Sequence, residues 1–261
     1  HAAAERVELE SSELAASSPP SAHARLMTWV WTLVIALFGG LLRFVRLGQP
    51  RAVVFDETYY VKDAWTMLNT GEPMSWPDEV SLGGQMVPVD TAFADGDTNA
   101  WINTAEYAVH SPLGKWLIAA GLKLFGGAAN PAAWRAATAI AGVLGIVLLI
   151  RITLRLFRNL PVALLAGLLM AIDGVSIVMS RTGLLDIFIM VFALGAFSLL
   201  LIHRDWAAAR LRMAAQSGAN RPPQITFSWW RAGAAVLLGC ATGVKWSGIY
   251  FFAVFCVISV F

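Results

Sequence analysis

Charge is the first thing this sequence has little of. Only 14% of its 261 residues are charged, against roughly a quarter in an ordinary soluble domain, and 57% are hydrophobic. This excludes a disordered chain and argues against a soluble globular one. Cysteine is nearly absent: Cys240 and Cys256 both lie in apolar runs, so they are expected to be small buried hydrophobes without a disulfide. The net charge of +2 is too small to suggest a nucleic-acid partner. No glycine-rich phosphate loop occurs, and the four histidines are scattered, with His1 and His23 near the start. No His, Cys and carboxylate set has the spacing of a metal site, so none is assigned, although loop acids leave a divalent ion open. The first apolar run is followed by Arg43, Phe44 and Arg46 rather than a small-residue cleavage site, which predicts a retained helix and not a signal peptide.

Apolar runs are abundant. They cover 26–42, 132–150, 161–179 and 184–202, and a final run over 232–261 is interrupted by Gly243, Lys245 and Gly248. About eighteen residues at 1.5 Å each approach the ~30 Å hydrocarbon layer. The expected fold is an all-α polytopic membrane protein with about six spans, the last two short and joined by a turn. The final run reaches Phe261 without a polar residue, so the expectation is the N-terminal portion of a longer protein. Residues 1–25 are expected to form a flexible cytoplasmic tail and 26–261 one membrane domain, incomplete at its C-terminal end.

Positive residues set the orientation. Arg151, Arg155 and Arg158 separate the second and third spans, and Arg204, Arg210, Arg212, Arg221 and Arg231 flank or fill the connection between the fourth and fifth. Both connections are expected in the cytoplasm. The segment 48–130 carries ten acidic residues against Arg51, Lys62, Lys115 and Lys123, so it belongs outside. Within it, the apolar stretch 112–125 is too short to span. It is expected to lie on the outer leaflet, with Trp116 among headgroups and Leu117, Ala120 and Leu124 on one buried face. The stretch 71–99 is expected to be surface loop.

This topology brings distant ionisable residues to one level: Arg43 and Arg46, the pair Asp56 and Glu57, Arg135, Arg181 and Asp186, and Lys245. Charges at a membrane boundary are costly unless paired, hydrated or used. Snorkelling or structural pairing accounts for any one of them. As a set, carboxylates and cations around an outer pocket suit an anionic head group and a proton transfer. Phe55, Tyr59 and Tyr60 surround the acidic pair, a setting that can hold two carboxyls apart in protonation. Asp173 is expected to cap or pair within the bundle.

Six motifs then stand in order: Arg43-Phe44; Val54-Phe55-Asp56-Glu57-Thr58-Tyr59-Tyr60; His110-Ser111-Pro112-Leu113-Gly114-Lys115; Trp134-Arg135-Ala136; Ser180-Arg181-Thr182-Gly183-Leu184-Leu185-Asp186; and Gly243-Val244-Lys245-Trp246-Ser247-Gly248. This order resembles the protein O-mannosyltransferases, over residues 41–250, and looks most similar to their lean actinobacterial form. The resemblance implies a GT-C type membrane glycosyltransferase that moves mannose from polyprenyl-phosphate mannose to Ser or Thr hydroxyls of exported polypeptides, in the plasma membrane with an extracytoplasmic site.

The lipid-linked sugar is thus the small-molecule partner the resemblance names; no further cofactor is assigned, and a divalent metal is left open. In that scheme Asp56 is the catalytic base and Glu57 orients acceptor or donor. Arg43, Arg135, Arg181 and Lys245 hold the donor phosphate, with Arg135 foremost, while Tyr60, His110, Lys115, Asp186 and Trp246 contact substrate. The partners implied are the lipid donor, secreted acceptor polypeptides, membrane lipid and the export machinery. Two departures stand out. Ser111 occupies a place where the family usually has proline, and the loop 71–99 is longer than in eukaryotic members. The alternatives are another GT-C enzyme acting on a lipid or polysaccharide acceptor, and a non-enzymatic lipid-binding or transporter fragment.

Overall fold

The computed structural model describes residues 21–107, 109–216 and 227–258. The tail up to residue 20, Arg221 and the last three residues of the final apolar run lie outside the described residues. The first helix, α1 (Ala22–Phe44), starts where the Ser21 hydroxyl accepts the amide of Ala24 at 3.1 Å, four residues ahead of the apolar run. A hydroxyl at this position satisfies one of the orphan amides of the first turn.

Among the described residues three helices are long and apolar enough to cross a membrane: α1, α5 (Pro131–Phe157) and α8 (Asp186–Gln216). The expected third span is broken. It consists of α6 (Leu160–Ile172) and α7 (Gly174–Arg181), which meet at 57° and make a fourth candidate if counted as one. Asp173 causes the break: its carboxylate accepts the amide of Ser176 at 2.7 Å and so starts a new helix. The expected fifth and sixth spans contain α9 (Trp229–Val244), whose 16 residues fall short of the ~20 of a full crossing, and α10 (Gly248–Ile258), which runs to the end of the described residues. They flank a turn at Lys245, as expected.

Helix α5 is the axis of the bundle, packing against α1, α6, α7 and α8, while α9 packs along α8. Its start carries strong local signals. Asn130 caps the helix through the amide of Ala132, Pro131 takes the first turn, and the Trp134 indole donates to the Ala128 carbonyl at 2.6 Å. Outward faces remain apolar, with Leu37 and Val175 more than 70% exposed, which is what a hydrocarbon surround permits. Cys256 belongs to this exposed surface and Cys240, on α9, is half-buried, both as free thiols; neither is the buried residue expected, and little packs over α10 around Cys256.

Between α1 and α5 the chain builds α2 (Glu57–Thr70), a hairpin of β1 (Glu79–Leu82) and β2 (Gln85–Pro88), α3 (Val89–Asp95) and α4 (Leu113–Phe125). The hairpin and α3 replace the structureless loop expected over 71–99. Leu82 pairs with Gln85, leaving a two-residue turn whose Gly83 and Gly84 have φ of 59° and 87°. That left-handed pair is what a tight hairpin turn requires. Helix α4 does form, but it buries Gly114, Lys115, Ile118, Ala119, Gly121 and Leu122 against the protein. The Leu117, Ala120, Leu124 stripe lies on the side of α4 turned away from the protein, Ala120 and Leu124 being exposed.

Candidate active site

The end of α1, the starts of α2, α5 and α8, and the junction of α9 with α10 all lie at one end of the bundle, where chain direction alternates. The arginine clusters at the ends of α5 and α8 lie at the other end. There Arg155 bonds Asp205 at 2.7 Å and Arg151 sits 4.4 Å from the Trp29 ring.

At the first end Asp56 and Glu57 part company. Glu57 is fully buried. One carboxylate oxygen accepts Arg135 Nε and the Gly183 amide, both at 2.7 Å, and the other accepts an Arg135 terminal nitrogen at 2.7 Å and the Val54 amide at 3.0 Å. Gly183 must be small, because a Cβ there would stand 2.9 Å from Val61 and 3.4 Å from the Glu57 carboxylate. Arg135 is equally enclosed. Its remaining N–H groups donate to the carbonyls of Leu47, Pro50 and Ala52, so all five donors are engaged. A charged pair so buried needs this many partners to offset its desolvation.

The other expected phosphate arginines are engaged as well. Arg43 is fully buried and donates to Ser176, Ser180 and the carbonyls of Gly39, Met170 and Ala171, which ties α1 to the kinked α6 and α7. Arg181 donates to the carbonyls of Leu42, Arg43, Val45 and Arg46, the orphan acceptors at the end of α1. Lys245 differs: it bonds both oxygens of the half-exposed Asp186 at 3.0 and 2.9 Å and lies 5.8 Å from the Tyr60 ring. Trp246 beside it is 70% exposed.

Asp56 looks into a cavity of about 320 Å³, shared with Tyr59, Tyr60, Asp63, Glu106, Tyr107, Val109, His110 and Lys115. The Tyr60 hydroxyl donates to Asp56 at 3.2 Å, and the Tyr60 ring lies 5.8 Å from that of His110. Burial, and then the carboxylate of Asp56, push the Tyr60 phenol well above its usual range, keeping it a donor. Burial, then Lys245 and Lys115, hold His110 below the usual imidazole value and so neutral near pH 7. Lys115 is buried and paired with Asp63 at 2.5 Å. Of the expected site residues, the structure thus brings Asp56, Tyr60, His110 and Lys115 to one cavity, with Lys245 and Asp186 close to Tyr60. It places Glu57, Arg43, Arg135 and Arg181 in the frame around it.

Asp63 and Glu106 were not anticipated. Asp63 has a legible signal: with Asp56, Tyr59 and Tyr60 it completes the i, i+3, i+4, i+7 face of a helix. Glu106 has none, being held by the long-range bond of its amide to the Pro73 carbonyl at 2.9 Å. Among the described residues no group of three or more His, Cys, Asp or Glu is arranged to hold a metal ion.

Comparison with known sequences gives a family profile described as dolichyl-phosphate-mannose-protein mannosyltransferase, matching residues 98–261. A polyprenol-phosphate-mannose–protein mannosyltransferase of Mycolicibacterium smegmatis is 36% identical over 234 residues, covering 87% of this chain and 40% of that protein. The protein of the same name from Corynebacterium glutamicum is 35% identical over 250 residues, covering 93% and 44%. Human protein O-mannosyl-transferase 1 is 28% identical over 227 residues, covering 83% and 26%. The chain therefore spans less than half the length of these relatives.

Proposed function

Because the chain belongs to the dolichyl-phosphate-mannose-protein mannosyltransferase family, we propose that its cavity is where mannose passes from a polyprenyl-phosphate carrier to a Ser or Thr hydroxyl of a polypeptide. The observation that carries this reading is Asp56, half-buried in the cavity wall beside aromatic rings and a neutral histidine, with Lys245 near the same tyrosine.

The reaction needs a base for the acceptor hydroxyl and positive charge for the departing phosphate. Asp56 takes the hydroxyl proton as the oxygen attacks the anomeric carbon. The bond from that carbon to the phosphate oxygen breaks, its electron pair leaving with polyprenyl phosphate. Tyr60, donating to the other side of the Asp56 carboxylate, fixes its orientation. Lys245 is the cation best placed for the phosphate, since Arg43 and Arg135 have all their donors engaged inside the fold and Arg181 spends its terminal nitrogens on the carbonyls that end α1. Those arginines and Glu57 are the scaffold that holds the loop between α1 and α2 in place. A single displacement inverts the anomeric centre, so a β-linked donor gives an α-mannoside.

The arginines at the far end support a cytoplasmic position for that end and an extracytoplasmic cavity, in a plasma membrane where the acceptors are exported chains still accessible to it. The test is transfer by the complete protein from polyprenyl-phosphate mannose to a Ser/Thr peptide, read by mass spectrometry and by release with an α-specific mannosidase. A peptide gaining one hexose that the enzyme removes is the expected result. Sugar appearing only on lipid or polysaccharide, or a β-linked product, contradicts the reading.

A further inference from the structure

Asp63 is 3% exposed. One of its oxygens accepts Lys115 at 2.5 Å, and the other is buried with no donor facing it. A buried acceptor left alone is costly, on the order of 1–3 kcal/mol. The group that faces Asp63 across the cavity wall is the side chain of Glu106, a second carboxyl. Two carboxylates repel, but a carboxylic acid donates to a carboxylate, so a single proton between them satisfies the orphan oxygen and removes the repulsion.

We propose that Glu106 is a positioning residue that acts in its protonated form, donating to Asp63 and so fixing the wall of the cavity that Asp56 shares. The surroundings agree. One Asp63 oxygen is already bonded to Lys115 on α4, so the donor its other oxygen lacks has to come from Glu106. Burial and the contact with Asp63 raise the Glu106 carboxyl to about 7, against the opposing pull of Lys115 and Lys62. The other charged or titratable groups lining the two cavities it borders are Tyr59, Tyr60 and Lys62 on α2, Asp78 before β1, Asp90 on α3, and Asp56, Tyr107 and His110. Of these, Lys62 is already bonded to Asp90 at 2.7 Å. The backbone of this segment is pinned to the residues after α2: the Ser75 amide donates to Thr104 at 2.8 Å, the Ile102 amide to Ser75 at 2.8 Å, and Met74 bridges to Ala105. The proton at Glu106 therefore links two pieces of the external region, α2 and the chain leading into α4, that meet at the site.

This rests on the mannosyl-transfer reading for its activity assay. A group with its midpoint at about 7 that must be protonated makes the rate fall roughly tenfold from pH 6 to pH 8. Glu106→Gln keeps a donor toward Asp63 at every pH, because its amide N–H replaces the carboxylic O–H. The expected result in the complete protein is that this variant loses the alkaline fall, while Glu106→Ala is slow across the whole range. If instead the native rate rises through this interval and Glu106→Gln is inactive, Glu106 works as an ionised base and the proposal is overturned. A second reading is independent of turnover: infrared difference spectra of native protein against Glu106→Gln are expected to show a protonated carboxyl that titrates near neutrality. Absence of that band overturns the proposal even if no acceptor is mannosylated, whereas its presence without transfer overturns only the functional reading.

Discussion

Replacing Arg135 with alanine separates a structural arginine from a phosphate-binding one. In the native protein Arg135 and Glu57 are 1% and 0% exposed and bonded at two points of 2.7 Å. Removing the guanidinium leaves the carboxylate of Glu57 with the Val54 and Gly183 amides alone, and strips donors from the carbonyls of Leu47, Pro50 and Ala52. Leaving one partner of a buried pair unpaired costs about 3–5 kcal/mol. Part of this returns in Arg135→Ala combined with Glu57→Gln, since a neutral amide is cheaper to bury than an unpaired charge. The stability is measured from denaturant unfolding of the detergent-solubilised protein, and the kinetics from initial rates at varied donor and varied peptide. Arg135→Ala is expected to unfold far more easily and to lose kcat, with no selective rise in the KM for donor. A variant of native stability whose only defect is a raised donor KM would refute the reasoning and return Arg135 to the phosphate.

Other substitutions probe the same frame and the cavity. Gly142→Ala sets a methyl group against Ser180 and 2.9 Å from Arg43 Nε; in so closed a space the expected cost is about 1–3 kcal/mol, read by the same unfolding assay. Lys245→Ala is expected to raise the donor KM by tenfold or so, as loss of one charge-assisted contact does, while leaving stability nearly native because Asp186 is half-exposed.

What the sequence reveals here depends on the range of the interaction. Span positions follow from apolar runs, and the alternation of helix directions alone carries Arg43, Arg135, Arg181 and Lys245 to one end of the bundle. The separate fates of those cations follow from backbone carbonyls, which have no sequence signature: nothing in Leu47, Pro50 or Ala52 announces that their carbonyls take the donors of Arg135. The acidic pair shows the same limit. Asp56 and Glu57 are adjacent, yet the turn into α2 sends Glu57 into the protein and leaves Asp56 in the cavity wall. Asp63 is readable from helical spacing, whereas Glu106 reaches the site only through pairing of chain segments about thirty residues apart. The hairpin carries its own local signal in Gly83 and Gly84, masked by the polar composition around it.

The most direct measurement is the single-turnover rate of mannose transfer by Asp56→Asn in the complete protein, with donor and acceptor saturating. An asparagine keeps the hydrogen-bonding shape toward Tyr60 but has no basicity. The account predicts a loss of about 10²- to 10⁴-fold, with folding and donor binding retained. A rate near that of the native protein would contradict it.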